Sequence, residues 1–179
     1  AELVANPDTP AEIDQASGDE LGFSTAIRAL RIAGLFDQAA SLCRKREVRI
    51  CEAENAYLAG DISAAHQAFA SVEAESSNGG SAGLDPLLGL KIGMVAELAG
   101  DMDNATRLYE LAMEKAPIEA YPAKDIATVR LANLKLDQGD VDGAIHLYNQ
   151  VVEHLDGSVL ASTRLLLQRT HNNRGVAQL

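Results

Sequence analysis

A ten-residue pattern occurs four times in this chain, and any fold it adopts must accommodate every copy. The copy Gly139-Asp140-Val141-Asp142-Gly143-Ala144-Ile145-His146-Leu147-Tyr148 has counterparts beginning at Gly100 and Gly60, with a weaker one at Gly34. Aligned on the glycine, each copy has Asp or Ser three residues later (Asp37, Ser63, Asp103, Asp142) and Ala five later (Ala39, Ala65, Ala105, Ala144). Nine later comes Cys43, Phe69, Tyr109 or Tyr148. The glycines lie 26, 40 and 39 residues apart (34 to 60, 60 to 100, 100 to 139). Internal repetition on this scale marks stacked supersecondary units.

Each repeated position has a physical use. A glycine ending a helical pattern can take the left-handed conformation that closes a helix. The Asp or Ser three residues on is expected to cap the next helix. The alanine suits close approach of a neighbouring backbone, and the ring four residues further lies one turn along the same face. The unit therefore reads as helix, glycine turn and second helix, an αα-hairpin.

The pattern Gly-x4-Ala-x3-aromatic resembles the second half of a tetratricopeptide repeat. The third copy matches most fully: Gly100, Ala105, Tyr109, Ala112 and Pro117 fall on that family's turn glycine, alanine, aromatic, second alanine and closing proline, and Gly93 on its first-helix glycine. The family's tryptophan is absent, and Ala56, Ala96 and Lys135 stand where its first-helix tyrosine belongs. The resemblance spans residues 20–179. It implies an all-α fold, a right-handed superhelical array of antiparallel helical hairpins (a TPR-like α-solenoid).

Composition agrees. Thirty alanines against three Phe, four Tyr and no Trp suit close-packed helices. A net charge of −11 disfavours nucleic acid and anionic membrane surfaces as partners. No apolar run reaches the roughly 18 residues of a membrane span, so direct membrane insertion is not expected; a soluble chain, cytoplasmic or periplasmic, is.

In order, residues 1–19 form an N-terminal segment with a short capping helix over 10–17, started by Thr9-Pro10 and broken at Ser17-Gly18-Asp19. Residues 20–179 form the repeat domain, about four hairpins and the start of another. Helices are expected over 20–33, 37–46, 47–59, from Gly60 to about Glu75, 86–99, from Gly100 toward Pro117, 123–138 and 141–155. Ser76 to Gly83 reads as a loop without a phosphate-binding signature, and Asp85-Pro86 as a helix start. After a stop at Asp156-Gly157-Ser158, Ser158 begins a final apolar helix. Thr170 to Leu179 resembles the first helix of one more repeat, which predicts that the native sequence continues. Arg44-Lys45-Arg46 with Arg49 offsets a helix dipole in preference to gripping an acidic partner.

No catalytic constellation emerges, and the chain is not expected to be an enzyme or to hold a cofactor or metal. His66, His146, His154 and His171 lack ligand spacing with carboxylates or cysteines and read as solvated. Asp61, Asp101 and Asp140 recur at every strong turn, which makes them structural. Cys43 occupies the ring position of its copy and reads as a buried thiol; a Cys43–Cys51 bridge, which would join helices of adjacent hairpins, is the less favoured alternative.

Function must then come from surface. In arrays of the family it resembles, first helices line a groove for a partner segment. Counting back from the turn glycines gives Glu54, Tyr57, Leu90, Met94, Glu97, Val129, Asn133 and Leu136; Arg130 joins them as, with Asn133, the only near match to that family's clamp for a C-terminal carboxylate. This apolar and acidic set suits a protein partner, a peptide or helix segment that is amphipathic and somewhat basic. Packing of the same apolar residues inside the array accounts for them equally. The function expected is a non-catalytic interaction scaffold, a subunit or adaptor of a multiprotein assembly of secretion, envelope or vesicle-tethering type. The alternatives are a homo-oligomerisation module stacking through apolar ends and a ligand-sensing domain of a larger regulator.

Overall fold

The four repeat glycines behave alike in the computed structural model, which describes residues 20–78, 84–115, 123–155 and 161–178. Gly34, Gly60, Gly100 and Gly139 have φ of 73°, 85°, 84° and 83°, the left-handed region that a Cβ would penalise. Each closes its helix with the same two backbone bonds. In the third copy Asp101 N–H donates to Ala96 C=O at 2.9 Å and Gly100 N–H to Glu97 C=O at 3.1 Å. The equivalent pairs recur at residues 34/35, 60/61 and 139/140. This is the Schellman closure, which satisfies carbonyls that the helix end would orphan.

Among the described residues there are nine helices and no strand: α1 (Glu20–Ile32), α2 (Phe36–Lys45), α3 (Arg49–Ala59), α4 (Ile62–Asn78), α5 (Pro86–Ala99), α6 (Met102–Lys115), α7 (Ala123–Asp137), α8 (Val141–Leu155) and α9 (Ala161–Ala177). They fall into two compact units, residues 1–80 and 81–179, divided within the Gly- and Ser-rich stretch. In the first unit, α1 packs on α2, α2 on α3 and α3 on α4. In the second, each of α5 to α9 packs on the next, and α7 also touches α5 and α9. The expected capping helix over 10–17, the Pro117 boundary and the Asp156 to Ser158 stop lie outside the described residues.

The helix starts correct one expectation. The side chain that caps is the aspartate directly after the glycine. Asp61 Oδ1 accepts from Ala64 N–H at 2.9 Å, Asp101 Oδ1 from Asn104 N–H at 3.3 Å and Asp140 Oδ1 from Gly143 N–H at 3.0 Å. Asp37, Asp103 and Asp142 lie inside the first turn of their helices, where a negative charge complements the helix dipole. The first copy has Leu35 at the capping position and no side-chain cap. Leu35→Asp is therefore expected to raise stability by about 1 kcal/mol, read as a higher urea midpoint. Asp85 behaves as expected: its Oδ1 accepts from Leu88 N–H at 2.9 Å ahead of Pro86.

The alanine and ring positions face inward throughout. Ala39, Ala65, Ala105 and Ala144 are fully buried, as are Cys43, Tyr109 and Tyr148, with Phe69 nearly so. In the second unit Tyr109, Tyr148, Leu134, Val151 and Leu155 belong to one apolar core. In the first, Ile27, Leu30, Leu42 and Cys43 form another. The final apolar segment and the start of a further repeat prove to be one continuous helix, α9.

The turn between α2 and α3 departs from the glycine rule. Glu47 takes the left-handed position (φ 58°), and Val48 N–H closes the turn onto Cys43 C=O at 3.0 Å. The turn lays α3 back against α2, with the Cys43 and Cys51 Cα atoms 5.6 Å apart and their sulfurs joined in a disulfide. The bridged alternative is thus the observed one, and Cys43 is not a free thiol.

Candidate interaction groove

Helix α1 carries Glu20, Phe23, Ser24, Ile27, Arg28 and Arg31 at spacings of three and four, so they share one face. Opposite them stand Val48 and the first turns of α3, with Ile50, Cys51 and Glu54. Together with Ile32 they line an open groove of about 730 Å³ within the first unit. Its walls mix charged side chains with aliphatic ones that are partly uncovered: Ile32 is 82% exposed, and Val48 and Ile50 are exposed as well. Arg28, exposed, stands at the rim.

A polar chain runs from the groove wall into the core. Arg31 donates from Nε to Asn55 Oδ1 at 2.8 Å and from Nη2 to Glu54 Oε2 at 3.1 Å. Asn55, fully buried, donates from Nδ2 to Cys51 C=O at 2.8 Å, and the same nitrogen lies 3.5 Å from both disulfide sulfurs. The basic cluster is committed internally: Arg44 and Arg49 bind the buried Glu52 at 2.6 and 3.3 Å, and Arg46 stacks on Phe23 at 5.7 Å.

The structure distributes the nine sequence-derived candidates over both units. Glu54 lines the groove just described, and Tyr57 is exposed on the same helix. In the second unit Leu90 and Val129 are each only 7% exposed and belong to its apolar core, with Met94 and Leu136 packed against it. The polar members stitch helices together. Glu97 accepts from the Tyr109 hydroxyl at 2.5 Å and from Arg130 at 3.2 Å, linking α5, α6 and α7. Asn133 Oδ1 accepts from the Tyr148 hydroxyl at 2.6 Å and from Asn173 Nδ2 at 2.9 Å, linking α7, α8 and α9. The two acidic residues behind the expectation of a basic partner, Glu54 and Glu97, thus each carry an arginine. The α1 face was the part that counting back from glycines missed, although its three-and-four spacing is plain in the sequence.

The two tyrosines make stability sensitive to alkali. Burial, followed by the hydrogen bond to Glu97, pushes the Tyr109 phenol well above its ordinary value, against a smaller opposing pull from Arg130. Burial likewise raises Tyr148. With the folded value raised, this contribution is intact below the unfolded value of about 10 and is lost as pH climbs above it toward the folded value. Urea stability is expected to fall steeply above about pH 10, and less steeply in Tyr109→Phe. Equal slopes in the two proteins would contradict this.

Two further pairs of titratable groups hold structural positions. Lys135 binds Asp140 at 2.8 Å and, together with the Gly143 N–H, holds its carboxyl below the usual value. His154 does not stand merely solvated: its Nδ1 lies 2.9 Å from Oδ1 of the buried Asp125. Among the described residues no three His, Cys, Asp or Glu side chains are grouped to hold a metal ion, and no helix is long and apolar enough to cross a membrane. No family model and no curated protein matches this chain.

Proposed function

We propose that this protein is a non-catalytic interaction module built from degenerate tetratricopeptide-like hairpins in a superhelical array, and that it receives a segment of another protein in the α1–α3 groove. The observation that carries this reading is the groove itself, about 730 Å³, in whose mixed apolar and charged wall the aliphatic side chains of Ile32, Val48 and Ile50 stay partly uncovered. Contiguous exposed apolar surface of this kind marks interaction sites in water-soluble domains. The four equivalent Schellman turns and the buried alanine–ring pairs support the repeat-array reading.

The partner is an amphipathic segment whose apolar side chains seat against Ile32, Val48 and Ile50. Arg28 at the rim favours an acidic residue beside that apolar face. Such a module serves as an adaptor or subunit of a larger assembly.

The test compares wild type with Ile32→Asp/Ile50→Asp as baits in lysate of the source cell, after circular dichroism shows both to be equally helical. A protein retained by wild type and lost by the variant is the expected result. Equal retention by both would move the interface away from the groove. Mass that rises with concentration, with nothing captured, would favour the oligomerisation module instead.

A further inference from the structure

The groove wall contains a disulfide, and four features set it apart from a buried structural bridge. Cys51 is half-buried and lines the open groove, whereas Cys43 is fully buried, so one sulfur's residue faces the open side and the other does not. The two cysteines are eight residues apart, a short loop for which cross-linking constrains the unfolded chain least. The same turn is held independently by the Val48–Cys43 backbone bond and by Arg44–Glu52, so the helices keep their connection without the bridge. Finally, Asn55 Nδ2 sits 3.5 Å from both sulfurs, a donor placed to stabilise a departing thiolate in an otherwise apolar core.

We propose that the Cys43–Cys51 disulfide is a redox-responsive latch on the groove, opened by a dithiol reductant that reaches Cys51 from the groove side. A thiolate of the reductant attacks Cys51 Sγ, forming a mixed disulfide and breaking the Cys43–Cys51 bond. The electron pair leaves on Cys43 Sγ, beside Asn55, and is protonated. The reductant's second thiol then attacks its own sulfur of the mixed disulfide, releases Cys51 as a thiolate that takes a proton, and departs as a cyclic disulfide. The protein gains two electrons and two protons, and the dithiol loses them.

Opening acts on the groove through Asn55. With the bridge intact, Asn55 is fixed by Cys51 C=O and holds Arg31, which in turn holds Glu54. Reduction removes the covalent tie at Cys51 and leaves the first turns of α3, which carry Ile50, Cys51 and Glu54, held to α2 by non-covalent contacts such as the Val48–Cys43 backbone bond and Arg44–Glu52, so that this chain loosens while the turn persists. The consequence for binding rests on the groove being the docking site proposed above; the latch itself does not.

The experiment follows the intact protein in dithiothreitol under native conditions, with iodoacetamide labelling and amide hydrogen exchange read by mass spectrometry. The expected result is labelling of Cys51 before Cys43, and exchange over residues 52–56 faster by on the order of tenfold with helical content retained. The Cys43→Ala/Cys51→Ala variant is expected to reproduce that exchange pattern. A bond that yields only as helicity is lost, exchange over 52–56 unchanged after reduction, or a double variant that does not fold would each overturn the latch. No partner enters these measurements, so their failure and the failure of the docking reading are told apart.

Discussion

Tyr109→Ala is expected to lower stability by about 3–5 kcal/mol, the range for truncating a fully buried aromatic side chain to alanine. The ring is completely enclosed in the core of the second unit, so its removal leaves a cavity that the surrounding α5, α6 and α7 cannot fill without moving. Its hydroxyl donates to Glu97, which also accepts from Arg130. Tyr109→Phe removes only that donor and keeps the ring, and is expected to cost about 0.5–1.5 kcal/mol. The difference between the two variants separates cavity from hydrogen bond. If Tyr109→Ala and Tyr109→Phe lose the same small amount in urea unfolding, the ring is not packed as described.

The second large effect comes from the opposite face of the same contact. A Cβ added at Gly93 would lie 2.8 Å from Tyr109 Cε1 and 3.2 Å from Leu108 Cβ. Tyr109 is enclosed and hydrogen-bonded and cannot swing aside, so α5 and α6 would have to separate. Gly93→Ala is expected to destabilise by about 1–3 kcal/mol from overpacking, less the gain of up to about 1 kcal/mol from replacing glycine within a helix. Gly89, one turn earlier, is the control. Its added Cβ would meet Leu111 at 3.4 Å and Leu84 at 3.5 Å, ordinary contacts. Gly89→Ala should therefore keep most of the helix gain and leave stability equal or higher. A stabilising Gly93→Ala would contradict the close α5–α6 approach that the repeat pattern predicts.

What the chain shows in sequence and what it hides follow from the range of each interaction. Helix ends are local. The glycine turns, the Asp85-Pro86 start and the inward alanine and ring positions follow from a few neighbouring residues, and each appears where the pattern puts it. The capping residue lies two positions before the expected one because two cap-forming side chains follow each strong turn (Asp61 and Ser63, Asp101 and Asp103, Asp140 and Asp142), and only backbone geometry decides which one meets the free N–H groups. Asp61, Asp101 and Asp140 do, and the later acids serve the dipole.

Contacts between helices were harder to read. The Cys43–Cys51 bridge depends on a left-handed Glu47, a conformation that sequence pattern does not forecast for a glutamate. A clue was present: Arg44 and Glu52, displaced by one residue from the two cysteines, form an ion pair across the same turn. The candidate groove residues of α5 and α7 divided for a related reason. Residues three and four apart share a helix face, but whether that face meets a neighbour or stays open depends on packing. Leu90 and Val129 are enclosed by neighbours, whereas Ile32, Val48 and Ile50 stay partly uncovered.

The central claim, that the α1–α3 groove receives a partner, is tested most directly by site-specific photo-crosslinking in the source cell. A benzophenone amino acid replaces Ser24, which is exposed and lines the groove, and in a second strain replaces Glu110, exposed on α6 of the other unit. A discrete adduct from position 24 and none from position 110 is the predicted result. Adducts from position 110 alone, or the same adducts from both positions, would contradict it.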